Sequence, residues 1–285
     1  MIAHPLLVRR VYRRSLMLEE GFATELEPVL SQYLIHGASP ERLAGVLGGS
    51  EFSRWGGDNL VERIGNVGVI AVEGTLVHRG AWIGSHCDMT SYQGLAAQIA
   101  EARNDPAIRG VILEFNTPGG EVSGADDCAR ALAELSAEKE TIAICTDEAY
   151  SAGYLLASQC REIIVPVNGG VGSIGVIFLH YDRSGAMEKT GVKVSIIAAG
   201  KHKAEGNPFE ALPSDVRERY AADAERTRQW FAEVVARGRG KRLGKAAALA
   251  TEARPYPDFE AVQAGLADLV ASPSAACAAF IERHA

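Results

Sequence analysis

The chain has 285 residues, 47% of them hydrophobic, and carries 29 Lys and Arg against 36 Asp and Glu, a net charge of -7. That length serves one large domain or two small ones, and the acidic balance excludes nucleic acid as the main partner, since phosphate binding needs a basic footprint. The five cysteines (Cys87, Cys128, Cys145, Cys160, Cys277) are odd in number and lack C-x-x-C spacing, which fits reduced cytosolic thiols better than a disulfide framework or a zinc site.

In chain order, residues 1–60 read as a helical N-terminal arm. Leu18, Phe22, Leu26, Val29, Leu30 and Leu34 recur at helical spacing, and Gly48 and Gly49 close the segment. Basic residues near the start (Arg9, Arg10, Arg13, Arg14) are followed by neither a long apolar core nor a cleavage site. No apolar stretch reaches the roughly 18 residues of a membrane span. The expectation is a cytoplasmic chain without a membrane span.

From residue 67 the pattern changes. Apolar runs at 67–72, 110–115, 141–145, 163–165 and 192–197 predict strands, and amphipathic segments at about 91–104, 123–137 and 151–160 predict helices between them. This alternation defines an α/β fold of βαβ units with a mainly parallel sheet. A long helix is predicted at 214–238 with Ser214 as its N-cap, and helices at about 244–250, 258–265 and 274–284 form a helical C-terminal region. The predicted organisation is thus an arm (1–60) and one domain (61–285).

Sites in such folds gather beyond the carboxyl ends of the strands. Asn116-Thr117-Pro118-Gly119-Gly120-Glu121 follows a predicted strand, and its glycines can present backbone N–H groups to an oxyanion. It can equally be a plain Pro-Gly-Gly turn. Ala149-Tyr150-Ser151-Ala152-Gly153 lies between strand and helix with the small residues a nucleophile elbow requires, although Ala149 replaces the first glycine of G-x-S-x-G. Its bland alternative is a serine N-cap. Gly200-Lys201-His202-Lys203 offers a lysine that could act as base if desolvated. Gly169–Val176 is a glycine-rich passage matching no nucleotide loop.

Taken in order, these loops resemble the Ser-Lys signal peptide peptidase family, which has the Clp protease/crotonase type of fold. The resemblance spans about residues 65–272 and includes Gly238-Arg239-Gly240 and Ala264-Gly265-Leu266-Ala267-Asp268. Within the family it is most similar to the phage capsid-assembly proteases of the minor capsid protein C type, through Met89–Tyr92, Val165-Pro166, His180–Ala186 and Gly206–Phe209. The resemblance implies Ser151 as nucleophile, Lys203 as general base, and backbone oxyanion donors among Gly119, Gly120 and Ala152. Glu121, Val122, Gly172, Ser173 and Ile174 are read as lining a substrate groove, with the alternative that the Gly169–Val176 passage packs on the active-site helix. The resemblance implies no cofactor and no metal, polypeptide substrates among phage scaffold, portal and capsid proteins, and a homo-oligomer whose sites are shared between subunits, working in the host cytoplasm or the assembling prohead.

Four other readings stay open. A cytoplasmic signal-peptide or peptide-degrading peptidase would use the same dyad. Alternatively, His180 could be the base, oriented by Asp182 or Asp147. The chain could also be a catalytically silent capsid or scaffold-binding protein. A crotonase-like acyl-CoA enzyme would leave the serine and lysine motifs unexplained.

Overall fold

A computed structural model of the chain describes residues 16–18, 60–80, 85–86 and 89–285. Its strands in chain order are β1 (Leu16–Leu18), β2 (Glu62–Ile64), β3 (Val67–Glu73), β4 (Thr75–Val77), β5 (Ser85–His86), β6 (Met89–Ser91), β7 (Gly110–Thr117), β8 (Gly119–Glu121), β9 (Glu140–Tyr150), β10 (Glu162–Val165), β11 (Gly170–Gly172), β12 (Pro255–Pro257) and β13 (Leu269–Val270). The helices are α1 (Tyr92–Asn104), α2 (Ala125–Glu138), α3 (Ala152–Ala157), α4 (Ser184–Thr190), α5 (Ser214–Arg239), α6 (Lys245–Ala250), α7 (Asp258–Gln263) and α8 (Pro273–Arg283).

The main sheet runs β12-β11-β9-β7-β3-β2. β3, β7 and β9 are mutually parallel, as the apolar runs predict. Because side chains alternate across a strand, Val111 and Leu113 join a large core with α1, α2, α3 and α5. Ile112 points to the other face, where Val67, Ile142, Ile144 and Ile164 meet Phe280 of α8. β9 is longer than its apolar run. Its first half pairs with β10 and its last three residues pair with β11, carrying the chain straight to Ser151. A smaller sheet runs β1-β8-β4-β6-β5.

Several expectations change. Residues 192–197 form no strand; Val192, Val194, Ile196 and Ile197 are exposed, Ile197 at 99%. Their β-branched pattern is right for a strand, but no segment among the described residues offers a ladder to pair with. Ser214 is the first residue of α5 rather than its cap, because Pro213 holds the N-cap position. Within the arm, Leu16–Leu18 are extended instead of helical. The rest of the predicted arm, to residue 59, lies outside the described residues.

The two C-terminal motifs form an internal lock. Arg239, with a wholly buried side chain, donates to both oxygens of Asp268 at 2.8 and 3.0 Å and to the Gly265 carbonyl at 3.1 and 3.0 Å. Asp268 also accepts from the Ile163 amide at 2.8 Å and from Arg242 at 3.0 Å. Nearby, the buried Tyr154 of α3 donates to the Leu266 carbonyl at 2.9 Å. The helix after Ser151 is therefore tied to the C-terminal region through the Tyr154 hydroxyl.

Candidate active site

Ser151 closes the strand-to-helix turn with φ 51° and ψ -116°. A non-glycine residue in that region costs on the order of 1–3 kcal/mol and persists only where its surroundings enforce it. Here the enforcement is visible on both sides of the residue. The Ser151 amide donates to the Gly172 carbonyl at 2.8 Å, and the Ser151 carbonyl accepts from Leu155 at 2.9 Å, starting α3. The side chain makes no capping hydrogen bond. Its Oγ is buried and has no hydrogen-bond partner among the described residues. A serine acting as a cap would spend its hydroxyl on an amide of the first turn; this one holds it in reserve.

Beside it stands the Thr117–Glu121 turn. The Thr117 hydroxyl donates to the Gly74 carbonyl at 2.5 Å and accepts from the Gly119 amide at 3.1 Å, a short ST-turn that sets the entry to β8. Gly119, Gly120 and Glu121 are all buried. Gly120 passes so close to β4 that a Cβ would stand 1.9 Å from the Leu76 carbonyl oxygen, so no side chain fits. Ala152 opens α3, and the first amides of a helix have no partner within it.

The groove residues predicted from sequence divide. Gly172 touches Ser151 through its carbonyl. Ser173 is buried with φ 54°, and its amide donates to the Arg254 carbonyl at 3.2 Å. Ile174 is wholly buried in the large core, and Val122 packs partly buried against it. The Glu121 carboxylate accepts from the His78 amide at 2.7 Å, while its carbonyl accepts from Tyr92 at 2.7 Å. It therefore anchors the chain entering the smaller sheet.

Lys203 is not brought to Ser151 within one chain. It is exposed, on a turn where its amide donates to the Gly200 carbonyl at 3.1 Å. The His180 alternative fares no better. The His180 ring bonds the Asn207 carbonyl at 3.0 Å, and Asp182 accepts from the Ser184 amide and hydroxyl at 2.9 and 2.6 Å. Those bonds, with a smaller contribution from the His180 charge, hold the Asp182 carboxyl below its ordinary range.

Sequence reasoning passed over Thr117 and Tyr154. A threonine just before Pro-Gly-Gly is a recognisable ST-turn signal, whereas nothing local marks the Tyr154 contact with Leu266. Gly153 shows how tight the joint is: a Cβ there would meet Thr117 Cγ2 at 2.4 Å, and Thr117 is pinned by its two hydrogen bonds. Gly153→Ala is expected to cost about 1–3 kcal/mol by overpacking, read as a lowered melting temperature. An unchanged melting temperature would show that the joint yields freely.

Residues 133–283, just over half of the chain and including Ser151 and Lys203, match the model described as Peptidase family S49. The chain belongs to that family. It is 41% identical over 202 residues to "Capsid assembly protease C" of Escherichia phage lambda, an alignment covering 71% of this chain and 46% of the relative. Against "Head-tail preconnector protein GP5" of Enterobacteria phage P21 the identity is 39% over 205 residues, covering 72% and 40%. "Serine protease SPPA, chloroplastic" of Arabidopsis thaliana is 28% identical over 185 residues, covering 65% and 27%. The chain spans less than half the length of these relatives. Among the described residues, no helix is long and apolar enough to cross a membrane.

Proposed function

We propose that the chain is a serine endopeptidase with a Ser-Lys dyad, and that its substrates are phage or prophage head proteins such as scaffold, portal, capsid protein or the chain itself. The observation that carries this reading is Ser151, a strained serine at a strand-to-helix turn whose buried hydroxyl is left unbonded beside a glycine strand. Membership of the S49 family and the similarity to the lambda and P21 proteins support it.

In the proposed reaction, neutral Lys203 takes the Ser151 hydroxyl proton as Oγ attacks the peptide carbonyl. The oxyanion is held by backbone amides of Gly120 and Ala152, with Gly119 beside them. Lys203 returns the proton to the leaving amine, and water then releases the acyl group by the same path. A lysine serves as base when desolvated, and Lys203 is exposed in the single chain. A neighbouring subunit that covers this turn is therefore part of the reading. The exposed apolar run at 192–197, directly upstream, is a surface for such a neighbour. The host cytoplasm or the assembling prohead is the setting this reading requires.

The test is cleavage of co-expressed head proteins together with labelling by a fluorophosphonate. The wild-type chain is expected to label at Ser151 and to yield fragments, and Ser151→Ala to do neither while keeping its melting temperature. Fragments that persist with Ser151→Ala would overturn the nucleophile. A folded wild-type assembly that neither labels nor cleaves would point to a silent capsid component.

A further inference from the structure

β8, the strand that carries Gly120, has β4 on one side and β1 on the other. β1 comes from the N-terminal arm, far upstream in sequence. It lies antiparallel to β8 with Leu16 opposite Glu121, Met17 opposite Gly120 and Leu18 opposite Gly119. Without β1, β8 would be an open edge, and a strand beginning Gly-Gly presents its amides and carbonyls without side chains in the way. Such an edge accepts an added strand through main-chain hydrogen bonds whatever the sequence of the newcomer. That is the property a peptidase needs on the rim of its nucleophile.

A second observation points the same way. Ser151 is 0% exposed, and Gly119, Gly120 and Glu121 are buried as well. A nucleophile that must meet a polypeptide is closed to solvent in this conformation, and the strand next to it is already paired.

We propose that Leu16–Leu18 stand in for substrate: they hold the strand position on Gly119–Glu121 that the polypeptide to be cleaved takes, and substrate binds only as they leave. This rests on Ser151 being a peptidase nucleophile and adds the control of access to it. A tethered strand competes at an effective concentration of about millimolar for short flexible tethers and less for longer ones. Weakly paired polypeptides are therefore held out, and those that bind more strongly displace the arm.

The experiment measures binding in the full chain carrying Ser151→Ala, so turnover plays no part in it. The probe is fluorescein-labelled unfolded casein, followed by anisotropy, with and without the added pair Leu16→Pro and Met17→Pro. Successive amides of a strand face opposite sides, so one of the two prolines removes a ladder donor whichever amide faces β8. Casein is expected to bind at least tenfold more tightly to the proline form; equal or weaker binding, or no binding by either form, overturns the proposal. If the proline form does not fold, amide exchange on the Ser151→Ala chain decides. Saturating casein is expected to speed exchange at residues 16–18 at least tenfold while 119–121 stay protected, and unaltered protection at 16–18 overturns the proposal. Failure here leaves the nucleophile reading untouched, because fluorophosphonate labelling of the wild-type chain tests that independently.

Discussion

Lys203→Ala is expected to reduce peptide cleavage by about 10⁴-fold, the upper end of what a positioned general base contributes. Folding should be unaffected, since Lys203 is exposed and, among the described residues, makes only a backbone contact in its turn. An exposed substitution of that kind changes stability by about 0.5 kcal/mol or less. The more telling measurement mixes two dead chains. Ser151→Ala keeps the lysine and Lys203→Ala keeps the serine. If each site takes its lysine from the next subunit, equal random mixing in a closed ring rebuilds about a quarter of the sites, because a Lys203→Ala chain must be followed by a Ser151→Ala chain. If serine and lysine of one chain work together, no mixture recovers anything. Near-normal activity of Lys203→Ala alone would remove the dyad from consideration and leave Ser151 in need of another base.

The second large effect concerns stability. Arg239→Leu is expected to cost about 3–5 kcal/mol, the range for removing one partner of a buried ion pair. It leaves the Asp268 carboxylate with only the Ile163 amide and Arg242 as donors and strips the Gly265 carbonyl of the Arg239 donors. Denaturant unfolding of both forms provides the check, and a loss under about 1 kcal/mol, the scale of a surface pair, would show that the lock is dispensable. The pH dependence has a definite sign. Burial alone would raise the Asp268 carboxyl, but the Arg239 hydrogen bond and charge, the Ile163 amide and the Arg242 charge outweigh it and hold it below its ordinary range. The stabilisation is therefore complete above the ordinary aspartate pKa of about 3.9 and fades as pH falls through the lower folded value. The gap between wild type and Arg239→Leu should narrow in that acidic window and stay constant near neutrality.

How much of this was legible in the sequence depended on where each signal resided. β3, β7 and β9 could be read because parallel strands buried on both faces are continuous apolar runs. β8 could not, since Gly119-Gly120-Glu121 has no strand propensity and is extended only because β4 and β1 flank it. The reverse error occurred at 192–197, where propensity was present and a partner strand was not. At the site, residue types and their order singled out Ser151, but the positive φ and the unspent hydroxyl that separate it from a cap are properties of its neighbours' backbone. The role of Arg239 was hidden for a related reason: its partners lie 26 and 29 residues downstream, beyond the reach of any local pattern.

The exposed stretch from Val192 to Lys203 has one more consequence. A β-branched segment open to water is a hazard to a solitary chain, because it invites unspecific pairing with other edges. Under the proposed sharing of sites, the same stretch carries the base that a solitary chain cannot use on itself. Dilution would then silence the peptidase, and crowding inside a closed shell would switch it on. Proteolysis would be confined by geometry to the place where many copies meet.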